Sequence, residues 1–327
     1  MENKTIQNIN IEYERPRLSR KFFSKVVDAL LFALIFLLSF ISIRAIYSST
    51  TSYKNSVSTL EEIRLNSGIY VEKDDNIINV STFVYQDKKM SYGQKEEYLE
   101  KALNNFLNYI KSYDENSYKK VIEDLNTFKL SDSLIYQNKP LFIEKDNEII
   151  KNDGIPAQIY VENFYTIYID TNCNGFLSTE IKEYYQNTKY LSDLNIFLNI
   201  PLSIVISSLL IYFLPPIIFK RGRKTIGMLI YHISLVDENL LAVPFKSWIL
   251  KFLIFYFLEF ILSIFTLAIP LLISASMMLF SKNKQTFSEY MMKIQEIDDQ
   301  NNKVYYSKNE AIKDNLNKDP VSKFRLR

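Results

Sequence analysis

The apolar run from Trp248 to Phe280 constrains the chain more than any other stretch. As one straight helix it would be about 50 Å long at ~1.5 Å per residue, against a hydrocarbon core of ~30 Å, so a single crossing does not accommodate it. Pro270 supplies a break. The run therefore predicts a helix to about Ile269 and then a shorter membrane segment to Phe280, returning the chain to the side it left. One acid, Glu259, stands near the middle of the run, where a carboxylate costs at least about 2.5 kcal/mol unless it faces a partner or water. Two readings of Glu259 stay open: a group that carries function, or an acid turned to the bundle interior and paired for packing with a serine or Tyr256.

Two further runs have membrane length. Val26 to Ile43 reaches it once Phe22 and Phe23 are counted, and it follows Arg15, Arg17, Arg20, Lys21 and Lys25, with only Arg44 and Lys54 beyond it. Cations gather on the cytoplasmic side of membrane proteins, so the N-terminus is expected inside. The second run, Ile196 to Phe219, closes at Pro215 and Pro216, which should end or bend it. It is followed by Lys220, Arg221, Arg223 and Lys224, which give the same orientation. Lys282, Lys284 and Lys293, with the terminal Lys323, Arg325 and Arg327, place the C-terminus inside as well. Ser203, Ser207 and Ser208 give the second span a small-residue face suited to close helix packing.

The resulting division is a cytoplasmic tail over 1–21, a first transmembrane helix over 22–46 and an extracytoplasmic domain over 47–190. A second transmembrane helix over 191–219, a basic cytoplasmic loop over 220–247, a third membrane region over 248–281 broken at Pro270, and a cytoplasmic tail over 282–327 complete it. The fold class expected is a membrane α-helical bundle of three to four membrane segments, with an α+β domain inserted after the first span. In that domain, 51–65 prolongs the first span as helix. Leu99, Ala102, Leu103, Phe106 and Ile110, and then Tyr118, Val121, Ile122, Leu125 and Phe128, follow helical spacing. Ile77 to Tyr85, with alternating and β-branched residues, predicts a strand, and the short segments Leu141 to Ile143, Ala157 to Val161 and Phe164 to Ile169, separated by turns, predict a small sheet.

Composition excludes several chemistries. A net charge of +2 gives no field for nucleic acid, so no nucleic-acid partner is expected. Cys173 is the one cysteine and His232 the one histidine, which removes intrachain disulfides, thiolate zinc sites and designs needing two histidines. Asp170, Asn172, Asn174 and Gly175 match the first half of a calcium loop, but Ile181 stands where a bidentate glutamate is required. A plain turn before a helix starting near Ser178 is expected there, with no metal and no cofactor. No nucleophile and base pattern or phosphate loop occurs, so no enzyme activity or catalytic residue is expected. His232 reads as an interfacial residue, and Asp237 with Glu238 and Asn239 as a turn.

The segment Thr225-Ile-Gly-Met-Leu-Ile-Tyr-His-Ile-Ser-Leu-Val-Asp237 resembles the RDD family of bacterial membrane proteins in its Gly227 to Asp237 spacing. Lys21-Phe-Phe-Ser-Lys-Val-Val-Asp28 is similar to the family's arginine-led start of the first span, and Lys284-Gln-Thr-Phe-Ser-Glu289 to the turn leading into its second signature acid. Lys21 stands for the namesake arginine, Glu289 for the second aspartate and Ser288 where histidine is common; Asp28 is unchanged. The resemblance covers 15–46 and 191–299 and implies nothing about the domain between them. It implies a multi-pass protein of the bacterial cell membrane, with the lipid bilayer as partner and transport of an unidentified ion or solute. Asp28 and Glu289 are then candidate coupling carboxylates, joined by Glu259, which is chosen by its depth in the apolar run and not by the family motif, with Lys21 as their counter-charge. A membrane-anchored sensor or envelope scaffold, working through the inserted domain, is the alternative, and a homo-oligomer is left open.

Overall fold

The computed structural model describes residues 13–146, 148–300 and 303–318. The start of the polar lead and the terminal cations Lys323, Arg325 and Arg327 lie outside the described residues. The chain is mostly helical. It divides into two compact units, one of Arg44–Leu198 and the other of the chain up to Ile43 together with that from Asn199 onward.

The first helix, α1, is Leu18–Ser48 and exposes Leu30, Leu34, Leu37, Leu38 and Ile41, a row of side chains that water would reject and lipid tails accept. After a break at Ser49 and Thr50, α2 (Thr51–Asn66) begins with the Thr50 hydroxyl accepting from the Tyr53 amide. Strands β1 (Tyr70–Lys73) and β2 (Asn76–Asn79) pair antiparallel. The strand expected to reach Tyr85 stops at Asn79, because the Asn79 side chain accepts from the Ser81 amide at 2.9 Å and caps α3 (Val80–Gln86). Helices α4 (Tyr92–Tyr113) and α5 (Glu115–Lys129) match the periodicity read from the sequence. Ser91 and Gln94 form a capping box at the start of α4, and Asp114 caps α5.

Two more antiparallel pairs follow, β3 (Ile135–Tyr136) with β4 (Lys139–Pro140), and β5 (Phe142–Lys145) with β6 (Glu148–Lys151). The expected small sheet does not form: the chain over 157–180 is helical throughout, α6. Its buried side chains explain why. Tyr160, Val161, Phe164, Tyr165, Tyr168, Ile169, Cys173 and Leu177 recur at a helical period, and that periodicity overrides their strand propensity. The supposed turn at Asp170 to Gly175 lies inside this helix. Asp170 accepts from the Ser81 hydroxyl, Asn172 donates from its side-chain amide to Asp124 and Asn174 accepts from the Tyr70 hydroxyl, so these side chains are spent on packing α6 against its neighbours. Leu99, Phe106, Ile110, Val121, Phe164, Tyr168 and Ile169 form the centre of this unit's core.

Helix α7 is Lys182–Ile218, and Pro215 and Pro216 lie in its last turn. The loop after it leads through α8 (Ile226–Ile230) to β7 (Ile233–Val236). The third apolar run is two helices, α9 (Phe245–Phe265) and α10 (Ile269–Phe280). The helix ends at Phe265, four residues before the expected Ile269, and the chain breaks at Leu267 and Ala268, which take φ values of 51° and 66°. Pro270 opens α10, where its missing N–H leaves nothing unpaired. Helices α1, α7 and α9 are long and apolar enough to cross a membrane, whereas the 12 residues of α10 span only about 18 Å. A short helix α11 (Phe287–Met291) and strand β8 (Gln295–Asp298) follow, and α12 (Lys308–Lys318) closes the described chain. Strand β8 pairs antiparallel with β7, Ile233 opposite Asp298, so the chain that enters α9 and leaves α10 starts and finishes at one end of the bundle.

Cys173 is fully buried, and burial, reinforced by the Asp124 and Asp170 carboxylates, pushes its thiol pKa well up. Buried in this way, Cys173 is no reporter of topology. The native protein should resist a maleimide reagent, and the same protein in denaturant should take up one label per chain, as read by intact mass.

Candidate functional site

The chemistry gathers where the N-terminal part of α1 meets α8, α9, α11 and β8. Ser24 lies on α1, and a Cβ on Gly227 of α8 would stand 2.0 Å from the Ser24 carbonyl oxygen, so only glycine permits this approach. One turn further along α1, Asp28 closes the contact. Its Oδ1 accepts from the Gly227 amide at 2.7 Å and its Oδ2 from the Thr225 hydroxyl at 2.5 Å. Thr225 in turn caps α8. Both oxygens of Asp28 are thus committed to holding α8 on α1.

A chain of charges runs beside this contact. Lys21 pairs with Glu296 at 3.3 Å and donates to the Lys284 carbonyl at 3.0 Å. Lys25 pairs with the other Glu296 oxygen at 2.9 Å and reaches Glu289 at 3.8 Å. Lys251, on α9, approaches the same Glu289 oxygen at 3.4 Å. Burial pushes the Glu296 pKa up, but Lys25 and Lys21 outweigh that and hold its carboxyl well below the usual range. Its charged form therefore supports folding at neutral pH, and that support is lost as pH falls below the ordinary carboxylate range. Lys21 and Glu296 are both almost fully buried, and removing one member of such a pair typically costs about 3–5 kcal/mol, because the other charge is left without compensation; the Lys25 side chain is 35% exposed, so its pairs count for less.

Glu289 has a second task. Its Oε2 accepts from the Thr286 amide at 3.0 Å while the Thr286 hydroxyl accepts from the Glu289 amide, a capping box that starts α11. The longer reach of glutamate than aspartate suits that return bond. Its Oε1 is buried and accepts no hydrogen bond, facing only the two ammonium groups. Glu259 is 2% exposed, and its Oε1 accepts from the Ser288 amide at 2.8 Å.

These groups line one cavity of about 450 Å³, with Lys25, Asp28, Lys251, Glu259 and Glu289 on its wall among rings such as Phe32, Tyr212, Phe255 and Phe260. Residues 159–308 match the RDD family. The match bears out the resemblance read from the sequence over that stretch and includes Gly227, Asp237, Glu259 and Glu289. It begins within α6 and leaves out Lys21 and Asp28. No curated protein and no solved structure matches the chain.

The structure brings Asp28, Glu259 and Glu289 to the same cavity. Lys21 pairs with Glu296 and not with any of those three. Asp237 lies elsewhere, its Oδ1 accepting from the Asn239 and Leu241 amides in the expected turn. His232 takes a positive φ of 53°, and its carbonyl accepts from Arg20 and from the Asp299 amide. Pro270 is not on the cavity wall. Sequence reading missed Glu296 and Lys251. Lys251 was open to the rule that singled out Glu259, a charge inside an apolar run. Glu296 had no such signal, because its burial depends on β8 pairing with β7 across a long stretch of chain.

Gly227→Ala should separate α8 from α1 and lower the thermal unfolding midpoint in detergent, at an overpacking cost of about 1–3 kcal/mol or more. Gly93→Ala, where an added Cβ meets nothing within 4 Å, should leave the midpoint close to wild type.

Proposed function

We propose that the protein is a multi-pass transporter of the bacterial cell membrane, using Glu259 and Glu289 as the carboxylates that exchange a proton against a small ion or solute. Asp28 holds the site together. The observation that carries this reading is the cavity itself: two carboxylates and two ammonium groups from α1, α9 and α11 converge on one space among apolar helices. Ionisable groups at such depth are costly and are retained for a task. The RDD match supports a membrane role and leaves the transported species open. No catalytic chemistry is part of this reading.

The charge distribution supports a cytoplasmic N-terminus and a cytoplasmic loop over 220–247, with the domain over 47–190 outside the cell. A second reading, a sensor or envelope scaffold, draws on the separate core of the Arg44–Leu198 unit, which is larger than a simple connection between spans requires.

Reconstituted vesicles with a trapped pH indicator test the transport reading. Adding sodium, potassium or a candidate solute should collapse an imposed pH gradient with wild-type protein, and Glu289→Gln should abolish the response. Wild-type vesicles that hold the gradient under every condition would leave the scaffold reading in front. Orientation has its own check. Tyr85 is 86% exposed, so Tyr85→Cys should react with a membrane-impermeant maleimide in intact cells; labelling only after lysis would reverse the topology.

A further inference from the structure

The cavity holds more information than a need for carboxylates. Its cations are already engaged: Lys25 by Glu296 and Glu289, Lys251 by Glu289, and Arg223 by the Pro216 carbonyl and the Trp248 and Phe245 rings. Glu259 is different. Among the described residues no lysine or arginine nitrogen lies within 4.0 Å of it, and the Ser288 amide is its one hydrogen-bond donor. A single amide offsets little of the cost of burying a charged carboxylate, and a positively charged ligand group would supply the rest.

The walls indicate what kind of charge fits. A small inorganic cation needs several oxygen ligands in place of its hydration shell, and no group of three or more acidic, histidine or cysteine side chains that could hold a metal occurs among the described residues. The wall of the same cavity instead offers Phe32, Phe255, Phe260 and Leu271. Aromatic faces attract a diffuse cation and make no demand for coordination geometry. A volume of about 450 Å³ is that of an organic ligand site and far exceeds what a bare ion fills.

We propose that this cavity binds a hydrophobic organic cation, its charged centre against the Glu259 carboxylate and its apolar body among Phe32, Phe255 and Phe260. The inference names a substrate class for the cavity of the transport reading, yet binding can be measured without transport. The chain contains one tryptophan, Trp248, and it lines the cavity, so its emission reports occupancy.

The test uses the purified full chain in detergent with tetraphenylphosphonium, followed by equilibrium dialysis of the labelled cation and by Trp248 emission. Tetraphenylborate, of the same shape and opposite charge, is the comparison. Saturable binding of the cation is expected, with no comparable binding of the anion. Glu259→Gln, which keeps the shape and the acceptor for the Ser288 amide, should raise Kd about tenfold or more. Equal or tighter binding of tetraphenylborate, uptake that never saturates, or a wild-type Kd in Glu259→Gln would each overturn the proposal. The anion comparison needs no variant and so stands even if Glu259→Gln misfolds. Saturable cation binding in a protein that carries no flux would keep this site and remove the transport reading. Proton flux without cation binding would do the reverse.

Discussion

The relay from Lys21 through Glu296, Lys25 and Glu289 to Lys251, buried at both its carboxylates, is the interaction on which the membrane unit depends. It ties the start of α1 to β8, α11 and α9, elements that come from opposite ends of the sequence. Each charge alone would be expensive to bury, and the alternation of sign makes the set tolerable only when all members are in place. That interdependence makes the arrangement specific, because a shift of one helix along another leaves a charge without its partner. Apolar packing between helices in lipid is far less selective, since lipid tails compete on equal terms for the same surfaces.

The glycine contact between α8 and α1 sets the spacing that the relay requires. With Gly227 against the Ser24 carbonyl, Asp28 reaches the Gly227 amide and the Thr225 hydroxyl, and Lys25, one turn back, is aimed at Glu296. Close backbone approach and charge pairing are therefore two parts of one joint. The small β7 and β8 pair completes it by fixing Glu296 beside the N-terminal end of α1, and Arg20 adds a pair with Asp298 on the same strand.

Much of this was legible from residues alone, and the boundary has a physical cause. Spans announce themselves by length and apolarity, properties of a contiguous segment, so α1, α7 and α9 were readable, as were the amphipathic α4 and α5. The stretch over 157–180 was misread because its aromatic and β-branched residues suit strands locally, while the pattern that decided the outcome was their spacing. At the site, Glu259 and Glu289 were visible as acids in unusual places. Of the two lysines that face Glu289, Lys251 was open to the same rule, but the pairing of Glu289 with Lys25 was not, because those two residues meet only through tertiary contacts spanning most of the chain. The Thr286 to Glu289 capping box was readable in principle, and it explains why a glutamate suits that position.

The half-length of α10 carries a consequence of its own. Ser274, midway along α10, accepts from the Phe287 amide, and Glu259, well inside α9, accepts from the Ser288 amide, so the start of α11 stands level with the middle of those two helices. The non-helical chain between α10 and α11 is exposed at Lys282 and Asn283 and turns inward at Gln285, so its second half is sheltered, where peptide groups find little water and are answered by side chains. Lys21 answers the Lys284 carbonyl, Gln285 the Ile294 carbonyl, and Ser274 and Glu259 the two amides that open α11. The polar side chains of the cavity thus serve as the solvent of an irregular backbone. Altering the charge of the site also alters what that backbone dissolves in, which couples the chemistry of the cavity to the shape of its own wall.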